Sequence, residues 1–102
     1  MIRVVAIVTA KPGRREELLT AFRAVVPSVR AEQGCIEYGP TVDAEGFGSR
    51  QAKVGADTFV VLETWETAEA LKAHAVAPHM AAYGAKVKDL VAGLTVHYLS
   101  PV

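Results

Sequence analysis

The chain has little cysteine, no excess of charge of either sign and no long apolar run. Its one cysteine, Cys35, cannot form an internal disulfide or a multi-cysteine metal site. Eleven Lys and Arg residues balance eleven Asp and Glu residues, without a basic stripe or an acidic run. The composition therefore gives no support for a nucleic-acid partner or for binding to an anionic membrane.

No apolar stretch reaches the roughly 20 residues of a membrane span. Residues 1–5 lack the charged and then apolar layout of a signal peptide. We therefore expect a cytoplasmic protein without a membrane partner.

The chain is small and has a high content of apolar residues. Its 102 residues fit one domain, spanning 1–102, yet 51% of them are apolar. A domain this small leaves much of its apolar surface poorly covered when it is alone. The excess indicates either a dense core or a surface meant for a partner, and we favour self-association.

Apolar periodicity divides the chain into six regions. It predicts strands at residues 2–9, 35–42, 58–66 and 94–99, and helical regions between 14 and 34 and between 67 and 93. Pro27 is expected to kink the first helix or to end its first segment, and Pro78 to begin a new helix after a break near Ala77. The order β-α-β-β-α-β predicts an α+β, ferredoxin-like domain with an antiparallel sheet and both helical regions on one face.

The third strand has two unlike faces. One carries Val60, Leu62 and Thr64, and we expect this aliphatic set to contact the helices. The other mixes apolar bulk with one carboxylate and suits a cavity wall; it carries Phe59, Val61, Glu63 and Trp65. Two such sheets packed face to face would hide apolar surface, which predicts a homodimer.

The residues able to carry chemistry cluster between 59 and 83. Each has a structural alternative: Glu63 could pair with an arginine, Trp65 could fill the core or an interface, and His74 could be a hydrogen-bonded core residue rather than a proton shuttle. His74 and His79 are five residues apart across a helix break, which does not favour a zinc pair. The sequence leaves open which of His74, His79 and His97 faces a cavity.

Several segments in order resemble the antibiotic biosynthesis monooxygenase family. The strongest are the strand end Glu63-Thr64-Trp65 and the helix carrying His74 that is followed by His79; the others are Lys11-Pro12-Gly13, Glu32-Gln33-Gly34-Cys35-Ile36-Glu37-Tyr38 and Ala70-Leu71-Lys72-Ala73. The resemblance implies a dimeric α+β barrel. It also implies an oxygenase that deprotonates a small aromatic or quinol substrate, whose carbanion then reduces O2 without a metal or flavin cofactor.

That chemistry needs a dry pocket, a group that handles a proton and groups that hold the substrate. With the resemblance as guide, we assign the catalytic roles to His74 and Glu63. The expected substrate-binding residues are Trp65, Phe59, His79, Tyr83 and Tyr38.

Four other functions stay open or are disfavoured. Haem-degrading members of the family use an asparagine in the first strand, and residues 2–9 contain none. A non-catalytic dimeric ligand-binding or stress-response module of the same fold is the main alternative, and an isomerase or cyclase-like enzyme is another. RNA binding is disfavoured because the central strands lack the paired aromatic and basic residues that hold bases.

Overall fold

The computed structural model describes all 102 residues as one four-stranded sheet with three helices. Their bounds, in chain order, are β1 Ile2–Ala10, α1 Arg15–Arg30, β2 Cys35–Thr41, β3 Thr58–Trp65, α2 Ala68–Ala75, α3 Pro78–Val87 and β4 Val91–Leu99. This order confirms the ferredoxin-like α+β fold and the break in the second helical region. No helix combines the length and the apolar character needed to cross a membrane.

The strands lie in the order β2-β3-β1-β4, and every neighbouring pair is antiparallel. Val4 of β1 lies opposite Glu63 of β3 on one side and Tyr98 of β4 on the other. Tyr38 of β2 in turn lies opposite Glu63. Because residues opposite each other share a face, these four side chains form one row across the sheet.

Helix α1 buries an apolar stripe on the sheet, with Leu18, Phe22 and Val29 among its buried residues. The prediction that a helical segment could end at Pro27 is wrong, since α1 continues to Arg30. Proline has no N–H, so the carbonyl one turn before Pro27 lacks its usual helical partner. Because Pro27 is exposed, water can hydrate that carbonyl. The Ala31 N–H still donates to the Pro27 carbonyl at 3.1 Å.

The two shorter helices begin with local signals. The Thr67 hydroxyl accepts the Ala70 N–H at 3.1 Å and caps α2, and Pro78 occupies the first turn of α3. Both helices are rich in alanine and each buries a single residue, His74 in α2 and Val87 in α3.

The prediction of which face of β3 contacts the helices is wrong. The mixed face of β3 carries Phe59, Val61, Glu63 and Trp65, and all four are buried beneath the helices. The aliphatic set that we expected against the helices lies on the opposite face, where Leu62 is 39% exposed. Alternation shows which residues share a face, but it does not show which face the helices cover.

Candidate functional site

A cavity of about 740 Å³ lies between the helix-facing side of the sheet and α2 and α3. Most of its lining is apolar. The polar groups on it are the side chains of Glu63, His74, Lys72 and Lys88 and the tyrosine hydroxyls. Along β4 the cavity is open, since Leu94 and Tyr98 line it and are 61% and 66% exposed.

Glu63 provides the buried carboxyl group of the cavity wall, and the residue is only 8% exposed. Its Oε1 accepts a hydrogen bond from the indole Nε1–H of Trp65 at 2.9 Å. Burial raises the pKa of Glu63, while the Trp65 hydrogen bond and the nearby His74 oppose the rise. Glu63 thus retains its proton to higher pH than an ordinary glutamate and can serve as a proton donor.

His74 is held between aromatic rings. Its imidazole lies 4.8 Å from the Trp65 ring and 5.4 Å from the Tyr38 ring, measured between centroids. These contacts leave the ring little freedom to turn. Burial raises the pKa of Tyr38 far above its usual value, and it raises the pKa of Tyr83 to about 12. Both hydroxyls therefore stay protonated at neutral pH and can donate hydrogen bonds.

A carboxylate outside the cavity wall joins two histidines. Glu32 Oε2 lies 2.9 Å from His74 Nδ1 and 2.7 Å from His79 Nε2. The sequence reasoning missed Glu32 as a site residue. One signal could have identified it. An acidic residue just after the C-terminal end of α1 interacts unfavourably with the helix dipole, which indicates that Glu32 has a role other than stabilising this helix.

Four of the seven predicted site residues line the cavity: His74, Glu63, Tyr38 and Tyr83. Trp65 is fully buried behind them, in contact with both proposed catalytic groups. The other two predicted residues lie elsewhere. Phe59 is fully buried and packs on Phe22 at 5.4 Å between ring centroids, and His79 contacts Glu32.

The last strand resolves a choice that the sequence left open. His97 lies opposite Val5, on the face of the sheet that no helix covers, whereas Tyr98 lines the cavity. No group of three or more His, Cys, Asp and Glu side chains is arranged to hold a metal ion.

Known proteins resemble this chain in both sequence and structure. Residues 1–86 match the family model described as antibiotic biosynthesis monooxygenase. The protein named "Probable quinol monooxygenase YgiN" from Escherichia coli K12 is 37% identical, with 99% of this chain and 98% of that protein covered.

Two solved structures share the fold along nearly the whole chain. PA3566 from Pseudomonas aeruginosa has a TM-score of 0.82 and 26% identity, covering 99% of this chain and 93% of its own. Rv0793 from Mycobacterium tuberculosis has a TM-score of 0.80 and 27% identity, covering 99% and 94%.

Proposed function

The chain belongs to the antibiotic biosynthesis monooxygenase family, and from that premise we propose that it oxidises a small aromatic quinol or phenol with O2, using neither metal nor flavin. The observation that carries the proposal is the apolar cavity lined by the buried side chains of His74 and Glu63. We assign the handling of protons to these two groups. The name of the E. coli relative supports the quinol class of substrate.

The cavity suits a small aromatic ring in size and lining. Pockets for small molecules range over about 300–1,000 Å³ and combine apolar walls with a few placed polar groups, and this cavity has about 740 Å³. Apolar residues of β1, β4 and α3 would contact the ring. The protonated hydroxyls of Tyr38 and Tyr83 would hydrogen-bond to its oxygen atoms.

His74 is the proposed base. It takes the proton of a substrate hydroxyl, and the electron pair stays on the substrate oxygen, which makes the ring electron-rich enough to reduce O2. One oxygen atom enters the ring carbon that loses its hydrogen. The other leaves as water with the two hydrogens lost by the substrate. We assign to Glu63 the protonation of the reduced oxygen; it then recovers its proton from the ring carbon that loses its hydrogen. The apolar walls limit access of water to the intermediates.

The direct test measures oxygen uptake with a panel of small quinols and phenols. We expect uptake by the wild-type protein, and a loss of roughly 10²- to 10⁴-fold in kcat for His74→Gln, because general-base catalysis contributes about that much. Glu63→Gln should also lose activity, whereas Glu16→Gln, an exposed carboxylate on α1, is the matched control and should not.

Three outcomes would contradict this function. Unchanged uptake in a His74→Gln, Glu63→Gln double variant would remove the proposed proton-handling groups. A ligand that raises the melting temperature without any oxygen uptake would instead favour the non-catalytic binding module, and product formed without oxygen uptake would favour an isomerase or cyclase.

The open face of the sheet is the proposed homodimer surface. Its apolar residues include Val5, Ile7, Val60 and Leu62, which are partly exposed and lie under no helix. Pairing two such faces would remove this apolar surface from water. In sedimentation, we expect a wild-type dimer and a monomer for Leu62→Asp. Val76→Asp, at a residue that is 81% exposed after α2, is the control and should remain dimeric; a monomeric wild-type protein would contradict the proposal.

A further inference from the structure

Glu32 connects three separate parts of the chain through one oxygen atom. It follows α1, and its Oε2 contacts Nδ1 of His74 in the last turn of α2 and Nε2 of His79 in the first turn of α3. The Glu32 side chain is 14% exposed, and the His74 and His79 side chains are 8% and 30% exposed. Water therefore competes little for these contacts.

Sharing one carboxylate oxygen constrains both imidazole rings. An ionised carboxylate can only accept hydrogen bonds, so each contacting ring nitrogen must carry a hydrogen. The network thus assigns Nδ1–H to His74 and Nε2–H to His79. In neutral His74 the lone pair is then on Nε2.

The Nε2 atom of His74 has no hydrogen-bond partner within the protein. None of the protein's hydrogen bonds uses it: the single bond of this imidazole joins Nδ1 to Glu32. It is also accessible: every fully buried side-chain nitrogen or oxygen has a hydrogen-bond partner, and Nε2 has none, so Nε2 is not fully buried. His74 lines the cavity.

We propose that Glu32 is a positioning residue that holds His74 in the Nδ1–H tautomer, so that Nε2 serves as the base in the cavity. The inference rests on the proposed function only in giving His74 the role of base. Glu32 acts through His74 and touches no substrate.

Glu32 also has a role during the proton transfer. When the substrate O–H bond breaks, its proton forms a bond to His74 Nε2, and the electron pair stays on the substrate oxygen. The resulting imidazolium carries a positive charge 2.9 Å from the Glu32 carboxylate, which stabilises it in a site with little water. The proton later moves from Nε2 to the oxygen atom that leaves as water. Glu32 keeps its negative charge throughout.

His79 has a different part in this arrangement. Its N–H gives the poorly hydrated carboxylate a second hydrogen bond, which offsets part of the cost of burying the charge. His79 does not line the cavity. We therefore expect that His79→Ala retains the tautomer of His74, whereas Glu32→Ala does not.

The first arm of the test needs no substrate. Nitrogen-15 NMR of the imidazole rings reports which nitrogen carries the hydrogen. In wild-type protein we expect the neutral His74 ring to carry its hydrogen on Nδ1 and none on Nε2. In Glu32→Ala we expect a mixture in which the Nε2–H form is populated. An Nε2–H form of His74 in the wild-type protein would overturn the proposal.

The second arm measures turnover. For Glu32→Ala we expect kcat to fall roughly 10- to 100-fold, as for other residues that orient an imidazole through its second nitrogen, with KM changing less than about threefold. Glu32→Gln keeps an acceptor oxygen but loses the charge, so it should retain the tautomer and lose most of the kcat. Glu69→Gln, an exposed carboxylate on α2, is the control for a nearby charge and should keep the wild-type kcat.

The two arms distinguish failure of this inference from failure of the proposed function. If the wild-type protein oxidises no quinol or phenol, the proposed function fails, and the tautomer of His74 alone decides whether Glu32 positions it. If the wild-type protein is active and Glu32→Ala retains its kcat within about threefold although the tautomer has changed, the positioning role is wrong. If Glu32→Ala does not fold, the wild-type tautomer and the Glu32→Gln kinetics decide.

Discussion

The interior beneath α1 is filled, whereas the interior beneath α2 and α3 is hollow. Helix α1 buries six residues, which include Leu18, Leu19 and Phe22. Helices α2 and α3 each bury one residue, and eight of their eighteen residues are alanine or glycine. Small side chains on two short helices cannot fill the volume that Leu, Phe and Val fill beneath the long helix.

This difference indicates that one half of the sheet serves mainly stability and the other half provides the cavity. Helix α1 buries six residues and α2 and α3 bury one each, so we expect the filled half to contribute more of the stability. The hollow half contributes less stability, but it offers an apolar space beside His74 and Glu63. The stability of the α1 half allows the other half to keep an unfilled volume.

Truncating one leucine in each half should show the difference between the two halves most clearly. Leu18 is fully buried under α1, so Leu18→Ala should lower the free energy of unfolding by about 2–5 kcal/mol. Leu71 borders the cavity and is only partly buried, so Leu71→Ala should cost less than about 1.5 kcal/mol. Urea unfolding of both variants measures the difference, and equal losses would show that the cavity is filled in solution.

The buried carboxyl of the hollow half should give a pH-dependent effect of intermediate size. The pKa of Glu63 is raised by burial above its ordinary value of 4.5, so the folded state holds this proton to higher pH than the unfolded state. The free energy of unfolding therefore falls as pH rises from about 4.5 through the raised pKa, by at most about 1.4 kcal/mol for each unit of the rise.

Glu63→Gln removes this titration and keeps an acceptor for Trp65. Relative to the wild-type protein, the variant should gain stability as the pH rises across that window and then level off. Thermal unfolding between pH 4 and 8 measures it, with Glu16→Gln as the exposed control. A difference between Glu63→Gln and wild type that does not change with pH would contradict the raised pKa.

The smallest expected effect is a gain of stability within the hollow half. Gly84 lies in α3 and lines the cavity, and a Cβ added there meets no heavy atom within 4 Å. Gly84→Ala should therefore raise the free energy of unfolding by about 0.5–1 kcal/mol through helix propensity. Thermal unfolding measures the gain, and a loss of stability would show that α3 packs more closely than the structure describes.

Local sequence patterns were enough to predict the order of the elements. The alternation in β3 marked the strand, and Thr67 and Pro78 marked the starts of α2 and α3. Alternation also placed Trp65 and Glu63 on one face, because residues two apart in a strand share a face, but it did not predict the hydrogen bond between them.

Contacts between distant residues were beyond the sequence. Glu32 and His74 are separated by 42 positions, and their meeting depends on how α1 and α2 pack on the sheet. The predicted start of β4 at residue 94, after a helical region ending at Gly93, is wrong. The strand begins at Val91, and its register with β1 shifts between Thr9 and Ala10. A glycine marks a β-bulge as readily as a helix end.

The central claim is that the hollow under α2 and α3 is where the substrate reacts, and Gly84→Leu tests it most directly. The oxygen uptake of this variant with a quinol that the wild-type protein oxidises should be compared with that of wild type and Gly84→Ala. The account predicts a folded Gly84→Leu protein, at least as stable as wild type, that has lost at least about tenfold in kcat/KM, equivalent to about 1.4 kcal/mol. A stable Gly84→Leu protein with wild-type kcat/KM would contradict it.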